Sequence, residues 1–258
     1  MAVREYRFLG SISAVLLAVL VGFAGSPVAA QCPDDEEFTT DFRLEDCKFK
    51  SRGMNPYFIL DPGFQLVLEG EEDDEEILLQ ITVLNETQVI DLTASGLGKI
   101  KTRVVEEREW VDGELEEVSR NFFGRCEQTN AIYYFGEDVE PEEGSWRAGV
   151  NGAMPGLIMP GTFLLGSKYF QEIAIEDEAF DRGENTEMDV EVSVPAGDFS
   201  GCVEVVDTNP AELVCDVEEG DAKVYCPGIG LVIDEEAQLV WYGYVDVDDE
   251  DEDDQGED

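Results

Sequence analysis

Hydrophobic and polar residues alternate along most of this chain with a period of two, and that rhythm predicts its elements. Phe64, Leu66 and Leu68 share one face of an extended segment, and Ile77, Leu79, Ile81 and Val83 share a face of the next. Met188, Val190, Val192 and Val194 alternate with Asp189, Glu191 and Ser193, the pattern of a half-buried antiparallel strand. Further strands read at Ala131–Phe135, Tyr169–Ile175, Cys202–Asp207, Leu213–Val217, Ala222–Tyr225, Gly230–Ile233 and Leu239–Tyr244. One hairpin can be registered directly, because Asp112-Gly113 is a type I′ turn signal between Ile100–Val111 and Glu114–Phe123. Centring on it pairs Trp110 with Leu115 and Arg108 with Glu117, the latter a cross-strand ion pair worth about 0.2–1 kcal/mol. Roughly a dozen strands without an amphipathic helix predict an all-β fold: an antiparallel half-barrel, barrel or sandwich.

Two stretches interrupt the alternation. Asn55-Pro56-Tyr57-Phe58 and Asp61-Pro62-Gly63 carry turn chemistry around a short extended piece. Gly144–Gly166 is rich in glycine, proline and methionine and reads as a long irregular loop, of the kind that forms lids and binding loops.

The N-terminus follows different rules. Arg4 and Arg7 precede an apolar run from Ile12 to Ala24, and Val28-Ala29-Ala30 offers the small residues of a cleavage site. This reads as a secretory signal peptide over 1–30. An acidic lead-in over 31–52, a β-rich domain over 53–245 and a disordered acidic tail over 246–258 follow it. The apolar run is too short to cross a ~30 Å hydrocarbon core, and no later segment offers the ~20 apolar residues of a span. Gln31 before Cys32 is too large for a lipoprotein signal. The expected location is secreted or periplasmic, with no membrane span after cleavage.

Charge narrows the partners. The chain has 61 acidic against 16 basic residues, a formal net charge of −45. Such an excess favours solubility and opposes compaction through self-repulsion, so it suits high salt, divalent cations or a basic partner. Halophilic adaptation is the leading reading, since lysine is scarce as well. Nucleic acid is excluded as a partner because the basic patches that hold phosphate are missing.

The six cysteines, Cys32, Cys47, Cys126, Cys202, Cys215 and Cys226, read as disulfide candidates in an exported chain. A turn at Glu219-Gly220-Asp221-Ala222 would set Cys215 opposite Cys226, and one near Thr208-Asn209 would set Cys202 opposite Cys215. The preferred pairing is Cys215–Cys226, Cys126–Cys202 and the local Cys32–Cys47.

Chemistry is sparse. Without histidine, Ser-His-Asp and Cys-His devices are impossible. No cofactor is expected apart from calcium, for which Glu71–Glu76, Glu137, Asp138 and the tail supply oxygen ligands without EF-hand spacing. Glu137 and Asp138 are the named metal candidates. The apolar character of the 144–166 loop, together with the aromatic run before it, suggests either a plug for the barrel mouth or a pocket for a hydrophobic ligand. Its candidate lining is Tyr134, Phe135, Trp146, Met154, Leu157, Met159 and Phe163.

Several strings also occur in a fixed order: Asn55-Pro56-Tyr57-Phe58 with Pro62-Gly63, Asp112-Gly113-Glu114-Leu115, and Tyr134-Phe135-Gly136-Glu137-Asp138. Gly144-Ser145-Trp146 through Ala148-Gly149-Val150, Met159-Pro160 and Pro227-Gly228-Ile229-Gly230-Leu231-Val232 complete the set. Together they resemble a widespread family of exported bacterial proteins of unknown function, itself distantly similar to half-barrels of the lipoprotein-carrier type. The resemblance implies an antiparallel half-barrel and supplies no catalytic residues. It also implies that Phe135–Asp138 and the Gly144–Pro160 segment act as one feature. The expected function is that of a non-catalytic binding protein for a small apolar molecule or envelope component. The alternatives are a calcium-binding or surface-structural acidic protein and, last, a carboxylate-based hydrolase.

Overall fold

The computed structural model describes residues 38–247 apart from 73, 141–143, 178 and 210–219. The predicted signal peptide, Cys32, Cys215, the strand expected at Leu213–Val217 and nearly all of the acidic tail lie outside the described residues.

Seventeen strands follow one another among the described residues. They begin with β1 (Phe49–Lys50), β2 (Met54–Asn55), β3 (Phe58–Ile59), β4 (Phe64–Glu72), β5 (Glu75–Leu92) and β6 (Gly98–Val111). Next come β7 (Glu114–Cys126), β8 (Ile132–Glu140), β9 (Trp146–Arg147), β10 (Met154–Met159), β11 (Lys168–Phe170) and β12 (Glu172–Ile173). The last five are β13 (Arg182–Val194), β14 (Gly197–Thr208), β15 (Asp221–Cys226), β16 (Gly230–Asp234) and β17 (Ala237–Tyr244). Thirteen of them form one antiparallel sheet in the order β11-β13-β14-β15-β16-β17-β4-β5-β6-β7-β8-β10-β12. β1 adds to β7, β9 adds to β8, and β2 pairs with β3 separately.

The two edge strands of that order, β11 and β12, are neighbours in the chain with only Gln171 between them. The sheet therefore curls until its edges meet, giving a nearly closed barrel whose seam lies at Gln171. Backbone N–H groups of Gln171 and Glu172 both donate to the Asp181 carbonyl, at 2.8 and 3.1 Å, which ties the seam to the approach of β13. Gly156 lies so close to this seam that a Cβ there would fall 2.1 Å from the Gln171 carbonyl oxygen.

Thirteen strands enclose more room than the roughly eight whose side chains just fill a barrel. Part of the extra space is taken by the β2–β3 hairpin. Its Phe58 ring packs edge-on to Phe123 of β7 at 5.1 Å, while Tyr57 Oη donates to the Gly201 carbonyl of β14 at 3.4 Å. The Gly228 N–H donates to the Pro56 carbonyl at 2.7 Å. The hairpin thus bridges opposite walls and plugs the barrel, a role the sequence had assigned to 144–166.

That segment is not one irregular loop. β9 and β10 both pair with β8, and β10 also pairs with β12, so the stretch supplies two strands and the turns joining them. The Asp112-Gly113 turn has φ values of 50° and 80°, as a type I′ turn requires. It sets Trp110 opposite Leu115 as expected. A bulge then shifts the register, so Arg108 faces Val118 and Glu109 faces Glu117, and Arg108 pairs instead with Glu106 at 2.6 Å. A second departure occurs in β13, where bulges around Thr186 and Asp189 change the phase of the alternation. Val192 and Val194 are buried while Met188 is exposed, so the four do not share a face.

Two disulfides join described cysteines, Cys47–Cys126 and Cys202–Cys226. All three preferred pairings are overturned. β15 pairs directly with β14, Val203 facing Tyr225, so no strand comes between them and Cys202 is brought to Cys226. β1 lies along the end of β7, Phe49 opposite Cys126, which carries Cys47 to Cys126. Such bonds indicate an oxidising environment. Among the described residues no helix is long and apolar enough to cross a membrane.

Candidate functional site

A cavity of about 210 Å³ lies inside the barrel. Period-two alternation builds its wall: Phe64 and Leu66 of β4, Ile81 and Val83 of β5, Val105 and Glu107 of β6, Asn121 and Phe123 of β7, and Lys223 and Tyr225 of β15 all point inward. The plug contributes Tyr57, Phe58 and Ile59, the β15–β16 turn Ile229, and β16 Leu231 and Asp234. The seam region adds Gln171, Glu172 and Asp181. One part of the wall is therefore aliphatic and aromatic, and the other is densely ionisable.

Lys223 is central to the ionisable part. Its Nζ lies 3.2 Å from Asp234 Oδ1 and 3.8 Å from Asp207 Oδ2. These two carboxylates hold its pKa well above the ordinary lysine value despite burial, Asp234 contributing most. Asp207 also accepts a hydrogen bond from Gln171 Nε2 at 2.8 Å, yet burial still pushes its pKa up to about 7. Glu107 is pushed up to about 7, first by burial and then by the charge of Asp234. Glu172 rises to about 8 from burial and the nearby Glu137 and Asp181, although Trp146 Nε1 donates to its Oε1 at 3.3 Å. Glu107 and Glu172 keep some accessible surface because they face a cavity, but both are far from bulk water, which is what raises their pKa.

The sequence candidates scatter around this site. Tyr134 lines the cavity, stacks on Phe123 at 4.7 Å and donates its hydroxyl to Asn121 Oδ1. Trp146 stands behind it, edge-on at 5.2 Å, and touches the site through Glu172. Phe163 backs the plug by packing on Tyr57. Phe135 points the other way, onto Phe49, and Met159 is buried in the core. Leu157 is half-buried against that core and Met154 is exposed, and neither reaches the cavity. Ile158, next to Leu157, does.

Glu137 and Asp138 point to opposite sides of β8. Glu137 is half-buried, and burial lifts its pKa to about 7. Asp138 is exposed and binds Arg147 at 2.6 Å. They do not converge, and among the described residues no group of three or more acidic or cysteine side chains is placed to hold a metal ion.

Sequence reasoning missed Glu107, Glu172, Asp207, Lys223 and Asp234. One signal was present: Lys223 is the only basic residue after Arg182, and it lies in a strand beside Val224 and Tyr225. A lone cation in an apolar strand of so acidic a chain marks an inward-facing partner for carboxylates. No family model, curated protein or solved structure matches this chain.

Proposed function

We propose that this is a secreted or periplasmic, non-catalytic binding protein that holds a small amphipathic molecule inside its barrel. The carrying observation is the cavity itself, mostly apolar but with a cluster of ionisable side chains along one part of its wall. A barrel needing only stability would fill its interior with apolar side chains. Burying Lys223 with several carboxylates costs several kcal/mol per ion unless geometry compensates, and replacing such groups by hydrophobic ones is often neutral or stabilising. Unfilled space beside those groups is what a binding site for a two-faced ligand requires.

Two further points support this reading. Three of the strings behind the family resemblance supply lining residues: Tyr57 and Phe58, Tyr134, and Ile229 with Gly230 and Leu231. The disulfides and the apolar N-terminal segment together favour export.

Native mass spectrometry of the full chain, exported so that its disulfides form, tests the proposal. A molecule should travel with the wild type and be absent from a cavity-filling Val105→Phe variant that keeps its fold by circular dichroism. Both proteins emerging empty, with no small amphipath raising the melting temperature of the wild type, would overturn it.

A further inference from the structure

The lining chemistry says which kind of polar head the cavity takes. Five carboxyl groups line it, those of Glu107, Glu172, Asp181, Asp207 and Asp234, against the single ammonium of Lys223 among the described residues. Lys223 is already engaged by Asp234 and Asp207, and Asp207 is engaged further by Gln171. Glu107 stands differently. It faces the cavity, is enclosed by the barrel, and accepts no hydrogen bond from any described residue. A carboxyl group enclosed by the barrel and open only to the cavity, with no protein donor beside it, is costly to ionise, and a bound donor removes that cost.

Resting on the binding reading above, we propose that the ligand is a small organic cation, an ammonium group on an apolar body, with its charged end at Glu107. An anionic head would meet the carboxylate excess with no uncommitted cation to receive it. A neutral hydroxyl could donate one hydrogen bond but would leave the excess negative charge uncompensated. The aromatic rings of Phe58, Phe123, Tyr134 and Tyr225 also line the cavity, and ring faces attract cations. Size is consistent too: an apolar cavity of about 150 Å³ holds benzene, so this one admits a single ring with a short arm.

The proposal carries a pH signature. Glu107 sits near neutrality while empty, raised by burial, Asp234, Glu117 of β7 and Glu109 of its own strand, and lowered by Lys223 of β15. Tyr134 and Tyr225 also lie within its field but stay protonated across the neutral range. An ammonium ligand stabilises the ionised carboxylate, so binding expels a proton and strengthens as pH rises toward 8.

Titration calorimetry of the full chain with benzylamine, benzyl alcohol and benzoate tests this. Benzylamine should bind at least about tenfold more tightly than benzyl alcohol at pH 8, the difference expected of a charge-assisted hydrogen bond. Its affinity should fall toward about tenfold per unit below pH 7. Benzoate should not bind. Glu107→Gln, verified as folded by its melting transition, should reduce benzylamine to the level of benzyl alcohol and flatten the pH profile. Benzyl alcohol or benzoate binding as tightly as benzylamine would overturn the cation assignment. So would a Glu107→Gln variant with full benzylamine affinity. If none of the probes binds while native mass spectrometry shows a carried molecule, the cation assignment alone fails. If none binds and nothing is carried, the binding reading fails with it.

Discussion

Asn55 is a polar side chain whose burial is explained completely by its partners. It is almost fully buried, its Nδ2 donates to the Asn130 and Pro160 carbonyls at 3.0 and 2.9 Å, and its Oδ1 accepts the Tyr57 N–H at 2.9 Å. One residue therefore fixes the plug's turn and fastens it to two separate loops. Replacing Asn55 by alanine strands two carbonyls and one N–H out of water, at about 1–3 kcal/mol for each group left unsatisfied. Asn55→Ala should lower unfolding stability by roughly 2–4 kcal/mol. It should also weaken binding in the cavity, because Tyr57 and Phe58 lose their anchor. Urea denaturation checks the first effect, and a midpoint within error of the wild type would show that the plug is held by its rings alone. The Asn-Pro pair was legible in the sequence as a turn. Its long-range partners were not, since Asn130 and Pro160 are named only by tertiary structure.

At the scale of elements, the disulfides divide the work of fastening. Cys47–Cys126 closes a loop with a sequence separation of 79 and ties the lead-in to β7, whereas Cys202–Cys226 spans 24 and joins strands already paired. Loop-closure entropy assigns them roughly 4.5 and 3.5 kcal/mol. The Cys47→Ser/Cys126→Ser variant should thus lose more stability than Cys202→Ser/Cys226→Ser in denaturant titrations, and the reverse order would mean that strain or residual structure dominates. The strands themselves were readable because alternation is a local property: most extended segments read from the pattern among the described residues coincide with strands. Registers and partners were readable only until a bulge intervened. The Asp112-Gly113 turn fixed Trp110 against Leu115, but the bulge just beyond it re-aimed Arg108. The cysteine pairing failed for a related reason, because it assumed an intervening strand where β15 pairs with β14 directly. The cavity was half legible. Tyr134 was recognised from its aromatic run, but Glu107 and Glu172 looked like two more acids among 61, and only closure of the sheet at Gln171 turns them inward.

The whole molecule carries a net charge of −45, so any pH effect of the cavity must be separated from that of the surface. Molar salt shortens the Debye length to about 3 Å and screens exposed charges far more than enclosed ones. Under that condition the buried carboxyl groups should dominate the difference between variants. Glu107 and Glu172 rise from 4.5 to about 7 and about 8 on folding, each chiefly because burial penalises the charged form. Between pH 4.5 and 8 the folded chain therefore binds more protons at these sites than the unfolded chain, and stability must fall as pH rises through that window. The full contribution is present below pH 4.5 and is gone above pH 8, with about 3 kcal/mol at stake for Glu107 and about 5 kcal/mol for Glu172 on an order-of-magnitude scale. Melting temperature in molar potassium chloride should decline from pH 5.5 to pH 8. Glu107→Gln/Glu172→Gln should decline less steeply and surpass the wild type at the alkaline end, because glutamine keeps the shape of the protonated acid without its titration. Parallel slopes would show that the two carboxyl groups are solvated in the folded state. Saturation with benzylamine gives the complementary result. By fixing Glu107 in its ionised form, the ligand should stabilise the wild type most at pH 8, where the empty cavity is least stable.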